Sequence, residues 1–187
     1  GTVLSLDVGT SGVRAVLFDE VGNELEQAQT KSLRESSSGD FAELNANEIV
    51  AVVIKTIDEL MLKSAGCRPQ YVAISAFWHS LIGADTDGNA TTPLLTWADT
   101  RGARFARQLR AEFDESEWHA RTGCRFHPSY WPAKLLWLRN EFPERFAQTE
   151  FWLGFAEFLC LKLFGTPAAS ISMASATSSA RWARSWA

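Results

Sequence analysis

The sequence predicts an α/β domain built on a mixed β-sheet with flanking helices, and three features of its first eighty residues carry that expectation. Two apolar runs, Val3 to Leu6 and Val13 to Phe18, flank Asp7-Val8-Gly9-Thr10-Ser11-Gly12, which reads as a β-hairpin with a polar, glycine-rich tip. A helix of about Ala46 to Ser64 follows, with Ile49, Val53, Ile57, Leu60 and Met61 recurring at helical spacing. The β-branched and apolar run Tyr71 to Ser75 then reads as a buried strand, laid parallel beside the first by the helical crossover.

Between these landmarks, Asp19-Glu20-Val21-Gly22-Asn23 is a turn, and Glu24 to Ser32 is a third, more polar strand that completes a meander. Arg34 to Asp40 reads as a serine-rich loop and Phe41 to Leu44 as a short ordered lead-in. Asn45 or Asn47 is available to cap the helix, and Gly66 is expected to stop it. The end of the Tyr71–Ser75 strand is a candidate site edge. The turn Asp85-Thr86-Asp87-Gly88-Asn89 is not a calcium loop, because its glycine comes too early and Thr96 stands where the twelfth-position Glu belongs. Further helices are expected over about Gly102 to Glu112, capped by Thr100, over Pro132 to Asn140, where Pro132 suits the first turn, and over Gly154 to Phe164. Thr122 to Tyr130 is read as a loop, and Ala168 to Ala187 as a Ser- and Ala-rich tail without strong period. No internal repeat is present.

At 187 residues, 46% hydrophobic and 21% charged, the chain has the composition of an ordinary folded domain. Its net charge of −4 argues against a nucleic-acid partner, and no Lys/Arg cluster suggests a membrane surface. The late apolar segment Phe151 to Phe164 is interrupted by Glu157 and Lys162 and is too short to span a bilayer. Cys67, Cys124 and Cys160 are odd in number and widely spaced, which predicts reduced thiols and a cytoplasmic location. These features favour small-molecule chemistry.

The hairpin tip carries the first candidate chemistry. Asp7 is a hard oxygen group suited to Mg²⁺ or its bound water, Gly9 and Gly12 permit positive φ and close approach of a phosphate, Thr10 and Ser11 add hydroxyls and N–H donors, and Arg14 adds a cation. The spacing is neither that of the P-loop nor that of the dinucleotide fingerprint, and a strand rather than a helix follows. A tight hairpin tip with no ligand is the plainer alternative.

Asp7-Val8-Gly9-Thr10-Ser11-Gly12 resembles the first phosphate loop of the actin-like, or ribonuclease H-like, ATPase fold, and in particular that of the FGGY carbohydrate kinases. Four later segments resemble the same family in order: Ile74 to Leu81, with Trp78-His79, as the strand-end sugar-binding stretch; Trp97-Ala98-Asp99-Thr100-Arg101 as its W-x-D-x-R element; Ser129 to Glu141, with Lys134 and Trp137 at the spacing of the first family signature; and Ser170 to Thr177 as its D-x-S-x-A-S-x-T stretch. Trp131, Ser129 and Ser170 depart from the usual residues at their positions.

The resemblance implies the N-terminal, sugar-binding and phosphate-loop domain of an ATP- and Mg²⁺-dependent kinase over residues 1–187, with a second nucleotide-binding domain and the Gly-x-Gly-Asp catalytic base absent from this sequence, so that the chain alone is expected to be inactive. It implies Asp7 as metal-water ligand, Gly9, Thr10, Ser11 and Arg14 at the transferred phosphoryl group, and Trp78, His79, Trp97, Asp99, Arg101 and Ser129 around a small sugar or sugar acid. Trp97 and Trp137 are equally readable as core, Arg101 as a simple partner of Asp99, His119 as surface and His127 as a pocket candidate. The motif details most resemble gluconate kinases, whose substrate wants a cation such as Arg101 or Arg125. A homodimer in the complete enzyme, a xylulose or other polyol kinase, a non-catalytic sugar-binding module and an assembly- or chaperone-type actin-like ATPase are the alternatives.

Overall fold

The computed structural model describes residues 1–31 and 36–170. In chain order its elements are β1 (Val3–Gly9), β2 (Gly12–Phe18), β3 (Glu24–Lys31), β4 (Ser36–Ser38), β5 (Phe41–Leu44), α1 (Ala46–Lys63), β6 (Tyr71–Ala76), β7 (Ile82–Ala84), β8 (Leu94–Leu95), α2 (Ala103–Glu112), α3 (Glu115–Thr122), α4 (Trp131–Glu141), α5 (Pro143–Ala147), β9 (Phe151–Leu153) and α6 (Phe155–Phe164). They divide into two compact units, whose described residues are 1–31 with 45–77 and 36–44 with 78–170.

The first unit is a four-stranded sheet of order β3-β2-β1-β6, antiparallel across β3, β2 and β1 and parallel between β1 and β6. This is the expected meander and crossover. Along β1 the alternation buries Leu4, Leu6 and Val8 and turns Asp7 outward. Helix α1 packs on β2 and β3. Asn45 caps it, its Oδ1 accepting from Asn47 N at 3.1 Å and Glu48 N at 3.4 Å.

Two details depart from the periodic reading. The buried stripe of α1 is Ile49, Val53, Thr56 and Leu60, with Ile57 and Met61 only half-buried. Thr56 takes an inward place because its hydroxyl bonds Thr30 Oγ1 and Val52 O, both at 2.8 Å. The helix itself ends as expected, at Lys63, before Ala65 and Gly66 take φ of 50° and 81°. Strand β6, expected to be buried, lies at the sheet edge, with Tyr71, Val72, Ala73 and Ser75 exposed.

The second unit holds the three-stranded sheet β4-β5-β8 and the pair β7-β9. Leu81, Leu95, Phe105, Trp131, Trp137 and Leu138 form a core cluster within it. Helices α2 and α4 pack closely: a Cβ at Gly102 would sit 2.9 Å from Ala133 O, so only glycine fits there. Gly102, not Thr100, is the N-cap of α2; the Thr100 hydroxyl donates instead to Asp40 Oδ1 at 3.0 Å. Strand β4 falls within the stretch read as a loop, while α3, α5 and β9 have no counterpart in the sequence reading. Residues 171–177 of the Ser170–Thr177 motif, and the tail that follows, lie outside the described residues.

The two D-x-x-G-N segments form the same turn. Asp19 Oδ1 accepts from Val21 N and Asn23 N, and Asp85 Oδ1 accepts from Asp87 N and Asn89 N. Each aspartate is thereby held below its ordinary pKa, Asp19 first by the side-chain bond to Asn23 and Asp85 first by the backbone bond to Asn89.

Candidate functional site

In the first unit, the register Gly9↔Gly12 closes the β1–β2 hairpin over Thr10 and Ser11. Neither glycine uses the positive φ it permits, and Thr10 and Ser11 also keep negative φ. What matters is the missing Cβ. At Gly12 it would lie 2.6 Å from Thr30 O, so β3 demands glycine; at Gly9 the nearest atom would be 3.8 Å away, so the tip is open to a ligand. Asp7 is exposed, flanked in register by Arg14 on β2 and Ser75 on β6. The exposed Arg14 donates to Gln27 Oε1 at 3.1 Å and lies 3.6 Å from Glu24. A carboxylate beside an open tip of hydroxyls and N–H groups fits a hydrated divalent cation and a phosphate.

In the second unit, Trp78 and Trp97 are 46% and 57% exposed, unusual for indoles and suited to a flat apolar wall. His79 stands between Trp78 and Tyr130, with ring centroids 5.7 and 4.8 Å away, and Tyr130 also meets His127 at 5.2 Å. The backbone of His79 is left-handed, φ 57°. Its Nδ1 is buried without a hydrogen-bond partner. Burial first, then the neighbouring Lys134 and His127, lowers the imidazole pKa, which favours a neutral ring with one nitrogen a donor and the other an acceptor.

The other expected sugar-side groups are engaged inside this unit. Asp99 is fully buried and its Oδ2 accepts from Ala42 N at 3.0 Å and from Arg101 Nε at 2.9 Å. Arg101 also bonds Glu43 Oε1 at 2.5 Å and is sandwiched between the rings of Phe41 and Trp137, at 4.7 and 4.2 Å. Arg101 thus pairs with Asp99, and Trp137 belongs to the core cluster. Ser129 is buried and donates its hydroxyl to Trp97 O at 2.6 Å. Among the arginines suggested for a sugar carboxylate, Arg125 has an exposed head group 3.8 Å from Glu115. His127 Nδ1 accepts from Ser129 N at 3.1 Å, and His119 is exposed.

Sequence reasoning placed Lys134 only within the family signature and gave neither it nor Tyr130 a part in the candidate site. Lys134 is fully buried on α4, its Nζ donating to His79 O at 2.9 Å and Thr96 O at 2.6 Å. Burial pushes its pKa down to about 7, with Asp99 opposing and Arg101 adding to the fall. A lone cation in the otherwise apolar run Trp131 to Leu138 was the available signal.

The N-terminal domain model of the FGGY family of carbohydrate kinases matches residues 2–181. The gluconokinase of Bacillus licheniformis is 30% identical over 174 residues, 93% of this chain and 34% of that protein. The solved gluconate kinase of Lactobacillus acidophilus aligns with a TM-score of 0.83 at 27% identity over 94% of this chain and 36% of its own, and a xyloylose kinase from Brucella ovis with 0.88 at 26% over 95% and 37%. The chain thus spans about a third of the length of these relatives. Their shared fold is the actin-like, ribonuclease H-like one, which accounts for the mixed sheet and its crossover. With the family model matching nearly its whole length and a relative 30% identical, this chain belongs to the FGGY family of carbohydrate kinases.

Proposed function

We propose that this chain is the acceptor-binding and phosphate-loop domain of a longer ATP-dependent kinase that phosphorylates a hydroxyl of a sugar acid, gluconate. The observation that carries the phosphotransfer reading is the exposed Asp7 carboxylate beside the open Gly9–Gly12 tip. In this reading Asp7 orients the water shell of Mg²⁺, and Gly9, Thr10, Ser11 and Arg14 receive the phosphate. Bound Mg²⁺ supplies charge neutralisation for the transferring group. Trp78, His79 and Trp97 contact the acceptor, while Asp99, Arg101 and Ser129 support them from within. Residues beyond this chain supply the base and the rest of the nucleotide site.

The choice of gluconate is supported by the similarity to the Bacillus licheniformis gluconokinase and by the Trp97-Ala98-Asp99-Thr100-Arg101 pattern. A panel of acceptors on the full-length parent tests it: gluconate should show the highest kcat/KM, and a much higher value for xylulose or glycerol would replace the substrate while keeping the kinase. Absence of acceptor-dependent ADP formation with every sugar would remove the kinase reading itself.

A further inference from the structure

We propose that Lys134 is a positioning residue that holds the segments bearing Trp78-His79 and Trp97 in register for the acceptor, a claim that rests on the acceptor-side reading above. The two segments are seventeen or so residues apart in the chain; the backbone bridge Leu81–Leu95, with both N–O distances 2.9 Å, joins them alongside, but no regular strand runs through His79 or Thr96 themselves, since β7 begins at Ile82 and β8 ends at Leu95. The buried Lys134 ammonium bonds a carbonyl of each, His79 O and Thr96 O. Around it, the start of α4 and its lead-in make two parallel ties: Trp131 Nε1 donates to Ser80 O at 3.0 Å, and Ser129 Oγ donates to Trp97 O. A further bond, Phe155 N to Ser80 Oγ at 3.0 Å, secures the same segment from α6.

Two features argue that this cation does more than fill space. His79 holds a left-handed backbone, which a residue with a Cβ adopts only when its surroundings over-determine it, and the Lys134 bond to His79 O is part of that surround. An ammonium is also a costly group to bury, and an apolar side chain of similar volume would pack the site without the desolvation penalty. A tetrahedral donor reaching two carbonyls at once is what an apolar residue lacks.

The test compares wild type, Lys134→Met and Leu159→Ala in the full-length parent; Leu159 is a buried α6 residue outside these ties. Positioning predicts that Lys134→Met raises the acceptor KM about 10-fold or more and leaves the ATP KM within about 2-fold, while Leu159→Ala, at an equal or larger loss of Tm, moves neither. An unchanged acceptor KM, or KM values that follow Tm alike in both variants, overturns the proposal. If Lys134→Met does not fold, Lys134→Arg decides: a raised acceptor KM with ATP KM unmoved supports it, and both unmoved overturns it. If the wild-type parent turns over no sugar, the function has failed separately, and positioning is read from the amide and Cα NMR shifts of His79 and Trp97, which must move in the Lys134 variant and stay in Leu159→Ala. Unmoved shifts at both residues reject the role of Lys134.

Discussion

Asp7 and Arg14 are register partners across the β1–β2 hairpin, yet the Arg14 guanidinium is drawn along the sheet to Gln27 and Glu24. Arg14 is thus paired elsewhere, as the proposed role of Asp7 toward a cation requires. In the full-length parent, Asp7→Asn is expected to lower kcat by about 10²-fold or more with the acceptor KM nearly unchanged, measured by steady-state coupled assay. Near wild-type turnover would reduce Asp7 to a hairpin residue.

The two tip glycines are predicted to separate stability from function. Gly12→Ala pushes a methyl toward Thr30 O and should cost about 1–3 kcal/mol by urea unfolding. Gly9→Ala makes only ordinary van der Waals contacts, the nearest at 3.8 Å, and should stay within about 0.5 kcal/mol of wild type, while raising the KM for ATP in the full-length parent. Equal stability loss at both positions would contradict the open tip.

Removing Arg101 tests the internal network. Arg101→Met leaves the fully buried Asp99 facing Ala42 N without its cation, and about 3–5 kcal/mol of stability should be lost, the range for breaking a buried pair from one side. Glu43→Gln, which leaves the Asp99–Arg101 pair in place, should cost much less. Chemical denaturation of both variants gives the comparison directly.

Lys134 sets a pH signature. Its folded pKa of about 7 lies below the ordinary 10.5, so between those values the unfolded chain binds the extra proton and stability from this group rises with pH. Below about 7 both states are protonated and the contribution levels off. The difference in unfolding free energy between wild type and Lys134→Met should therefore slope by up to about 1.4 kcal/mol per pH unit over that window. A flat difference would show that Lys134 keeps an ordinary pKa in the folded state.

Much of the first unit was legible because its signals are local. The hairpin follows from two apolar runs around a polar tip, α1 from its period and the Asn45 cap, and the parallel β1–β6 pairing from the rule that a helical crossover returns a strand beside its partner. The short pieces were not legible. Strands β4, β8 and β9 are two or three residues long, and such segments become strands only through the partners they meet.

By itself, then, the amino-acid order determined the family, the fold class and the chemical types at the site, since motifs and periodicity are properties of neighbouring residues. Burial and orientation were decided by tertiary structure. An apolar strand such as Tyr71–Ala76 is buried or exposed according to what lies beside the sheet edge, and Thr56 displaces Ile57 from the core because Thr30 is there to share its hydroxyl. The same holds at the candidate site: the partners of Asp99, Arg101 and Ser129, among them Ala42, Glu43 and Trp97, and the two carbonyls bonded by Lys134 are brought to them across the fold. A buried polar group must find its partners wherever the chain brings them, and those partners are set by packing rather than by sequence distance.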